Sequence, residues 1–162
     1  MAKEDCPITS GVRFLRQRKV DFIPRLYDYQ EHGGTARASL LLGVDEHAVV
    51  KTLVMETSDH KPLIVLMHGN REVSTKQLAR VLGVKSAGSC DTATAERLTG
   101  YSVGGISPFG ARQRMPIYVE QTILELPRIL INGGKRGFLV EIDPQALVTE
   151  LGAVAVEVSL VP

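Results

Sequence analysis

The chain has 162 residues, of which 44% are hydrophobic and 23% charged, and its formal net charge is +1. This length and composition suit one globular domain with a full hydrophobic core. The sequence has no apolar run of membrane-spanning length and no signal-peptide core. Cys6 and Cys90 form no metal-ligand pair. We therefore expect a cytoplasmic protein with no membrane partner, metal or cofactor.

The order of predicted elements favours an α+β fold. Apolar residues recur at helical or alternating spacings, and glycines and prolines separate the segments. In chain order we predict a flexible arm over residues 1–8, a helix from Thr9 or Ser10, a strand over 20–29, a helix over 36–42, strands over 48–56 and 63–67, helices over 75–82 and 92–99, strands over 115–119, 129–132 and 138–142, a helix over 144–151 and a strand over 154–158. At least two hairpins are antiparallel, so we expect one mixed or antiparallel sheet with helices around it.

Capping residues place several helix ends. Ser74 begins a capping box, Asp91 caps the next helix, and a glycine follows each of these helices. Thr35 is expected to cap a short helix whose apolar residues are the three consecutive leucines, residues 40–42, and which ends at Gly43.

The most unusual stretch is residues 100–110, which hold four glycines, one proline and two serines. Neither a helix nor a strand tolerates this mixture, so the segment is predicted to be a loop with an imposed path. Gly104 and Gly105 allow a close approach to the backbone, and their consecutive N–H groups can form an anion-binding concavity. An ordinary surface turn is the alternative.

Lys51 stands in an apolar row of the predicted strand over residues 48–56. It shares a face with Val49 and Leu53, whereas Thr52 points to the other face. An unpaired buried ammonium is costly, so Lys51 must reach a counter-charge, a set of acceptors or a cavity. The alternative is a side chain that reaches solvent near the strand end.

A second glycine-rich turn, residues 133–137, is basic. Lys135 and Arg136 lie between Gly134 and Gly137, an arrangement that suits the capture of phosphate or carboxylate. A solvated hairpin tip is the alternative.

Nucleophilic cysteine catalysis and a Walker-type phosphate site are not indicated. Cys90 precedes a helix start, but none of the four scattered histidines forms a recognisable partner motif with it. Neither glycine-rich segment ends in the Gly-Lys-Ser/Thr that binds phosphate and magnesium.

Three segments occur in an order that matches a known family: residues 50–54, 100–110 and 133–137. Over residues 9–158 the chain resembles the YbaK family of free-standing Cys-tRNA(Pro) deacylases, relatives of the editing domain inserted in bacterial prolyl-tRNA synthetases. The resemblance implies one domain over residues 9–162 with a barrel-like, mostly antiparallel mixed sheet. The chain departs from the best-known members at Gly33-Gly34 and at Leu139, where some members carry an acidic residue.

The resemblance also implies an activity, the trans-editing hydrolysis of mischarged Cys-tRNA(Pro). An apolar pocket separates proline from cysteine or alanine by only about 1–3 kcal/mol, so a second, hydrolytic site is the usual remedy. In this family the substrate's own thiol attacks its ester, and the protein supplies positioning and backbone stabilisation of the oxyanion. The implied catalytic residues are Lys51, Gly104 and Gly105, and the implied substrate-binding residues are Tyr27, Thr52, Ser107, Pro108, Gly134 and Arg136.

The expected partner is the acceptor end of tRNA(Pro). Proteins that bind RNA through many phosphates are usually far more basic than this chain, which favours help from prolyl-tRNA synthetase. Three alternatives stay open: a deacylase for another small residue such as Ala-tRNA(Pro), a non-catalytic module that binds tRNA ends or the synthetase, and a small-molecule thioesterase or nucleotide-binding protein.

Overall fold

Ten short strands and five α-helices make up residues 6–160, the part of the chain that the computed structural model describes. Of the predicted arm over residues 1–8, residues 1–5 lie outside the described part of the chain. The helices are α1 (Ser10–Gln17), α2 (Gly34–Leu42), α3 (Thr75–Leu82), α4 (Thr92–Thr99) and α5 (Gln145–Thr149), with short 3-10 helices at Glu46–Ala48 and Gln121–Glu125. No helix within residues 6–160 has both the length and the apolar character needed to cross a membrane.

One mixed sheet holds eight of the strands. The strands are β1 (Ile23–Leu26), β2 (Val49–Thr57), β3 (Pro62–His68), β4 (Glu72–Val73), β5 (Ala87–Ser89), β6 (Ile117–Glu120), β7 (Ile129–Lys135), β8 (Phe138–Ile142), β9 (Val154–Val156) and β10 (Ser159–Leu160). The sheet order is β1-β8-β7-β2-β3-β6-β9, with β5 also paired to β2, and β4 pairs separately with β10.

The strand pairings confirm an α+β fold with a mixed, mostly antiparallel sheet. Five of the eight pairings are antiparallel, and the parallel ones join β2 to β7, β3 to β6, and β6 to β9. Among the described strands, β1, β5 and β9 each pair with one other strand, so the sheet keeps open edges.

The central strand β3 contributes side chains to two hydrophobic cores, one on each face of the sheet. Ile64 and Leu66 pack in the cluster that includes the buried side of α1. Val65 and Met67 point to the opposite face and pack in the cluster that includes Leu78 of α3. Alternate side chains of a strand face opposite sides, so a strand covered on both faces becomes a continuous apolar run.

The helix caps predicted at Ser74 and Asp91 are present. The Ser74 hydroxyl accepts a hydrogen bond from the Gln77 N–H at 3.1 Å, and the Asp91 carboxylate accepts one from the Thr94 N–H at 2.7 Å. The glycine that follows each helix adopts the left-handed conformation that closes a helix C-terminus.

Two of the three leucines of α2 face solvent. Leu40 is 80% exposed and Leu41 is also exposed, whereas Ala38 and Ser39 are buried. Three consecutive residues span about 200° of a helix surface, so they cannot all face one core. Thr35 does not cap the helix, because its hydroxyl donates instead to the Glu46 carboxylate at 2.7 Å.

Strand limits also differ from prediction at the periphery. The strand expected over residues 20–29 shortens to β1, the edge strand that holds Pro24. The two- and three-residue strands β4, β5 and β10 were not predicted, because so few residues give no measurable alternation.

The parallel pairing of β2 with β7 is short and creates an opening. It covers only Val49 with Leu130 and Val50 with Ile131. Beyond this point the β7–β8 hairpin has a register shift between Asn132 and Lys135. β2 therefore continues past Val50 without β7 beside it, and the gap lies next to Lys51.

We predict that Leu66→Ala lowers the free energy of unfolding by about 2–5 kcal/mol, because this side chain is fully buried in the central strand. The matched exposed leucine variant, Leu40→Ala, should change it by less than about 0.5 kcal/mol. Urea denaturation measures both values, and equal decreases would contradict the placement of the two leucines.

Candidate active site

A cavity of about 400 Å³ opens where β2 and β7 separate. Four segments contribute to its lining: residues 27–38, 49–52, 103–106 and 132–139. They include parts of the lysine strand, the glycine-rich loop and the basic hairpin that the sequence singled out. Five predicted site residues line it: Tyr27, Lys51, Thr52, Gly104 and Arg136.

Gly105 is close to the cavity but does not line it. Its N–H donates to the Ser102 carbonyl at 2.8 Å, within a tight turn. A Cβ atom at this position would lie 2.7 Å from the backbone nitrogen of Arg136, so glycine is needed for the loop to pack against the hairpin. Its N–H is therefore engaged within the loop rather than directed at a ligand.

Three more predicted substrate-binding residues lie away from the lining. Ser107 is completely buried, and its hydroxyl accepts from the Phe109 N–H at 3.1 Å. Pro108 lines a second cavity behind the loop. The Gly134 N–H donates to the side chain of Asn132 at 2.7 Å. Ser107 and Gly134 thus make contacts within the glycine-rich loop and the basic hairpin rather than with the cavity.

Two side chains of the hairpin hold the glycine-rich loop in place. The Arg136 Nε–H donates to the Val103 carbonyl at 2.9 Å, and the Asn132 amide donates to the Gly104 carbonyl at 3.2 Å. The Arg136 guanidinium also lies 5.6 Å from the centre of the Tyr29 ring, within reach of a cation–π contact. We call this set of contacts the loop–hairpin clamp.

Gly104 meets conditions that only glycine satisfies. Its φ is +94°, and a Cβ atom would lie 2.6 Å from the Tyr29 hydroxyl and 3.3 Å from Arg136 Nε. Its N–H donates to no protein acceptor within residues 6–160. It is thus a backbone donor in the cavity lining that a ligand can engage.

The Lys51 ammonium has a counter-charge, one of the outcomes that the sequence left open. The side chain is only 18% exposed, and Nζ donates to the Arg71 carbonyl and to the Glu72 carboxylate, the latter at 3.2 Å. Glu72 is 79% exposed, and such an ion pair is weak. A ligand oxygen in the cavity can therefore compete with Glu72 for the ammonium.

Thr52 carries a buried polar atom with no partner. Its hydroxyl oxygen makes no hydrogen bond with any residue in the described range 6–160, although the residue lines the cavity. Buried polar groups are nearly always hydrogen-bonded, so this oxygen marks a place for a polar group of a ligand or a water molecule.

Both tyrosines of the segment between β1 and α2, Tyr27 and Tyr29, line the cavity. Burial raises the pKa of the Tyr27 phenol, with Tyr29 adding to the effect, so Tyr27 is a neutral hydrogen-bond donor at neutral pH.

The cavity rim includes acid–base groups that the sequence did not indicate. Glu31 and His32 are both exposed, and His32 Nε2 lies 3.8 Å from the Glu31 carboxylate. Neither belongs to the recognised motifs, and their proximity to Lys51 depends on the path of the chain between β1 and α2.

The described residues place neither Cys90 nor a cluster of metal ligands at this cavity. Cys90 does not line it, and burial raises the pKa of its thiol, with the charges of Glu56 and Asp91 adding to the effect. Within residues 6–160 no group of three or more potential ligands is placed to hold a metal ion.

A buried histidine lies on β3, directly across from Val50. His68 Nδ1–H donates to the His47 carbonyl at 2.7 Å, Nε2 accepts from the Thr122 hydroxyl at 2.7 Å, and the two imidazole rings stack at 3.7 Å. Burial lowers the pKa of His68, and the charges of His47 and Arg71 lower it further. The neutral imidazole thus supports the strand that carries Lys51.

Comparison with known proteins identifies the class of protein. The aminoacyl-tRNA editing domain family matches residues 32–149. EbsC of Enterococcus faecalis, described as a candidate Cys-tRNA(Pro)/Cys-tRNA(Cys) deacylase, is 28% identical over 144 residues, which is 87% of each chain. A proline–tRNA ligase of Desulforamulus reducens is 27% identical over 105 residues, 64% of this chain, but the match spans only 18% of the ligase.

Solved structures share the fold. The crystal structure of a candidate trans-editing enzyme for prolyl-tRNA synthetase superposes with a TM-score of 0.82 at 20% identity, covering 96% of this chain and 100% of that one. A hypothetical protein gives a TM-score of 0.86 at 24% identity over 94% of this chain and 100% of its own. The class is a hydrolase that acts on mischarged aminoacyl-tRNA. The chain belongs to the aminoacyl-tRNA editing domain family.

We predict that Gly104→Ala lowers kcat/KM for ester hydrolysis about 100-fold, since a displaced catalytic group can cost that much. Strain at its positive φ should also cost about 1–2 kcal/mol of stability. Gly88→Ala is the matched control, because a Cβ atom there meets no atom within 4 Å. Deacylation kinetics and thermal denaturation test both variants; comparable activity in the two would contradict the role of Gly104.

We also predict that stability falls as the pH is lowered below about 6.5, the ordinary histidine pKa. The unfolded chain binds a proton at His68 there, whereas the folded chain resists it because burial lowers that pKa. The contribution is complete above pH 6.5 and decreases by at most about 1.4 kcal/mol per pH unit below it. His68→Gln should flatten the profile, unlike the exposed control His60→Gln, and identical profiles for the two variants would contradict this assignment.

Proposed function

We propose that the protein is a trans-editing deacylase that removes cysteine from mischarged tRNA(Pro). The proposal rests on one cavity that Lys51, Thr52 and Gly104 all line, where the Thr52 hydroxyl and the Gly104 N–H have no partner among residues 6–160. The similarity to EbsC, over 87% of both chains, supports the choice of cysteine.

The proposed chemistry uses the thiol of the substrate as the nucleophile. The sulfur attacks the carbonyl carbon of its own ester and forms a C–S bond, and the C–O bond to the terminal ribose breaks. The thiol proton passes to the departing ribose oxygen, and water then hydrolyses the cyclic thioester to cysteine. Cys90 is not needed as a nucleophile, in agreement with its raised pKa and its position outside the cavity.

The protein's contribution is to position the ester and to stabilise its developing oxyanion. The Gly104 N–H is assigned to that oxygen. Thr52 and the neutral phenol of Tyr27 are assigned to polar groups of the aminoacyl-ribose end. Lys51, released from Glu72, is assigned to the substrate carbonyl or to the terminal nucleotide.

Apolar side chains at the wall suit a small amino-acid side chain. Ala38, Val49 and Leu139 pack in one small cluster beside the cavity. Such a wall discriminates weakly between small residues, with about 1–3 kcal/mol per methylene-sized difference. The requirement for a thiol in the first step would then supply the selectivity for cysteine.

The proposed partners are the acceptor end of tRNA(Pro) and prolyl-tRNA synthetase. The similarity of the chain to regions of proline–tRNA ligases supports a shared tRNA. With a net charge of +1 the chain neutralises few phosphates, so the synthetase would raise the local concentration of the mischarged tRNA.

A second candidate is a deacylase for Ala-tRNA(Pro). Glu31 and His32 at the rim favour it, because alanine has no thiol and its hydrolysis needs an activated water. In this case His32 would act as the general base.

Deacylation of tRNA(Pro) charged with cysteine, alanine or proline tests both candidates. We expect cysteine to be released fastest and proline to be retained, and Lys51→Ala to reduce cysteine release about 100-fold, as expected for the removal of one positioned charge. Lys76→Ala is the matched control, because Lys76 is an exposed lysine on α3.

His32→Gln separates the mechanisms. Cysteine release should be unchanged in this variant if the substrate thiol is the nucleophile. Faster alanine than cysteine release by the wild type, abolished by His32→Gln, would replace the first candidate with the second. No release of any amino acid would contradict both.

A further inference from the structure

A second cavity, of about 280 Å³, lies behind the glycine-rich loop. Val103, Gly104 and Ile106 of this loop line the first cavity, whereas Pro108 and Gly110 line the second. From Ile106 to Pro108 the chain extends at most about 7 Å. A single loop therefore forms part of the wall of both cavities.

Two basic segments of the chain contribute to the lining of the second cavity. Residues 10–20 and 110–116 together hold six of the 19 basic residues and none of the 18 acidic ones. These two segments therefore carry a local excess of positive charge, although the net charge of the chain is only +1. A concentrated patch can bind a few phosphates even though the chain as a whole is nearly neutral.

Two arginines of these segments line the cavity and are available to a ligand. Arg114 is exposed and makes no hydrogen bond or ion pair with any residue in the described part of the chain. The Arg18 guanidinium lies 4.4 Å from the centre of the Phe14 ring, and its ion pair with Glu150 is long, at 3.8 Å. Glu150 is the one acidic residue among those that line this cavity.

We propose that this basic groove, formed by Phe14, Arg18, Gln113 and Arg114, binds phosphates of the tRNA acceptor end while the terminal aminoacyl-nucleotide occupies the first cavity. The inference rests on the proposed function, which puts the 3′ end on the other side of the same loop. Arg18 and Arg114 present planar guanidinium groups, which match phosphate geometry. The groove explains how a nearly neutral protein holds an RNA: it engages only the few phosphates beside the ester.

Binding of uncharged tRNA(Pro), followed by fluorescence anisotropy across a salt series, tests the groove without catalysis. We expect Arg114→Gln to weaken binding several-fold and the Arg18→Gln/Arg114→Gln double variant about tenfold at ~0.1 M salt. The slope of log K against log salt should fall by about 0.7–0.9 for each phosphate that the variant no longer neutralises. Arg114→Gln removes no hydrogen bond or ion pair made by the described residues, so its result does not depend on a change in stability.

Lys76→Gln is the matched control. It removes one exposed positive charge from α3, which packs on the opposite face of the sheet from α1. An equal decrease in affinity in Lys76→Gln and Arg114→Gln, or an unchanged salt slope in the double variant, would overturn the proposal. Competition by poly-glutamate as strong as that by tRNA would assign the groove to acidic proteins and overturn it as well.

Deacylation assays separate this inference from the proposed function. The double variant should raise KM for Cys-tRNA(Pro) and leave the hydrolysis of cysteinyl-adenosine, which lacks the other phosphates, unchanged. Equal defects on both substrates would overturn the groove. If the wild type releases no cysteine, the proposed function fails, whereas the anisotropy data still decide whether the groove binds tRNA.

Discussion

The candidate site depends on the clamp that joins the glycine-rich loop to the basic hairpin. Arg136 and Asn132 donate to consecutive carbonyls of the loop, at Val103 and Gly104. Because these carbonyls are held, the Gly104 N–H keeps a fixed direction at the cavity wall. Preorganised backbone donors stabilise a developing oxyanion without reorganisation during the reaction. The glycines are needed because Tyr29 and the hairpin backbone occupy the space of a side chain.

The two basic side chains that line the cavity, Lys51 and Arg136, have different partners. The Lys51 ammonium is held by an exposed carboxylate, which a ligand oxygen can displace, and the Arg136 guanidinium is engaged in the clamp. Arg136 therefore holds the glycine-rich loop against the hairpin and also contributes positive charge there. The sequence suggested anion capture for this residue, and the structure adds a positioning contact that is compatible with it.

The parts of the site that lie within regular elements could be predicted from the sequence. Alternation along β2 put Lys51 in an apolar row. The glycine content predicted the loop over residues 100–110 and the turn over residues 133–137. What could not be predicted depends on long-range packing. Glu72, the counter-charge of Lys51, belongs to a two-residue strand, and the clamp joins residues about 30 positions apart. Ser107 and Gly134 are residue types that often bind ligands. In the structure, however, the Ser107 hydroxyl and the Gly134 N–H are engaged within the loop and the hairpin.

Chemical-shift mapping with a non-hydrolysable, amide-linked cysteinyl-adenosine tests the central claim most directly, since it reports where the aminoacyl end binds without requiring turnover. We expect shifts of the backbone amides of Lys51, Thr52 and Gly104, together with a change at the Glu72 carboxylate as the lysine leaves it. Shifts confined to residues outside the first cavity, with Gly104 and Lys51 unaffected, would contradict the central claim.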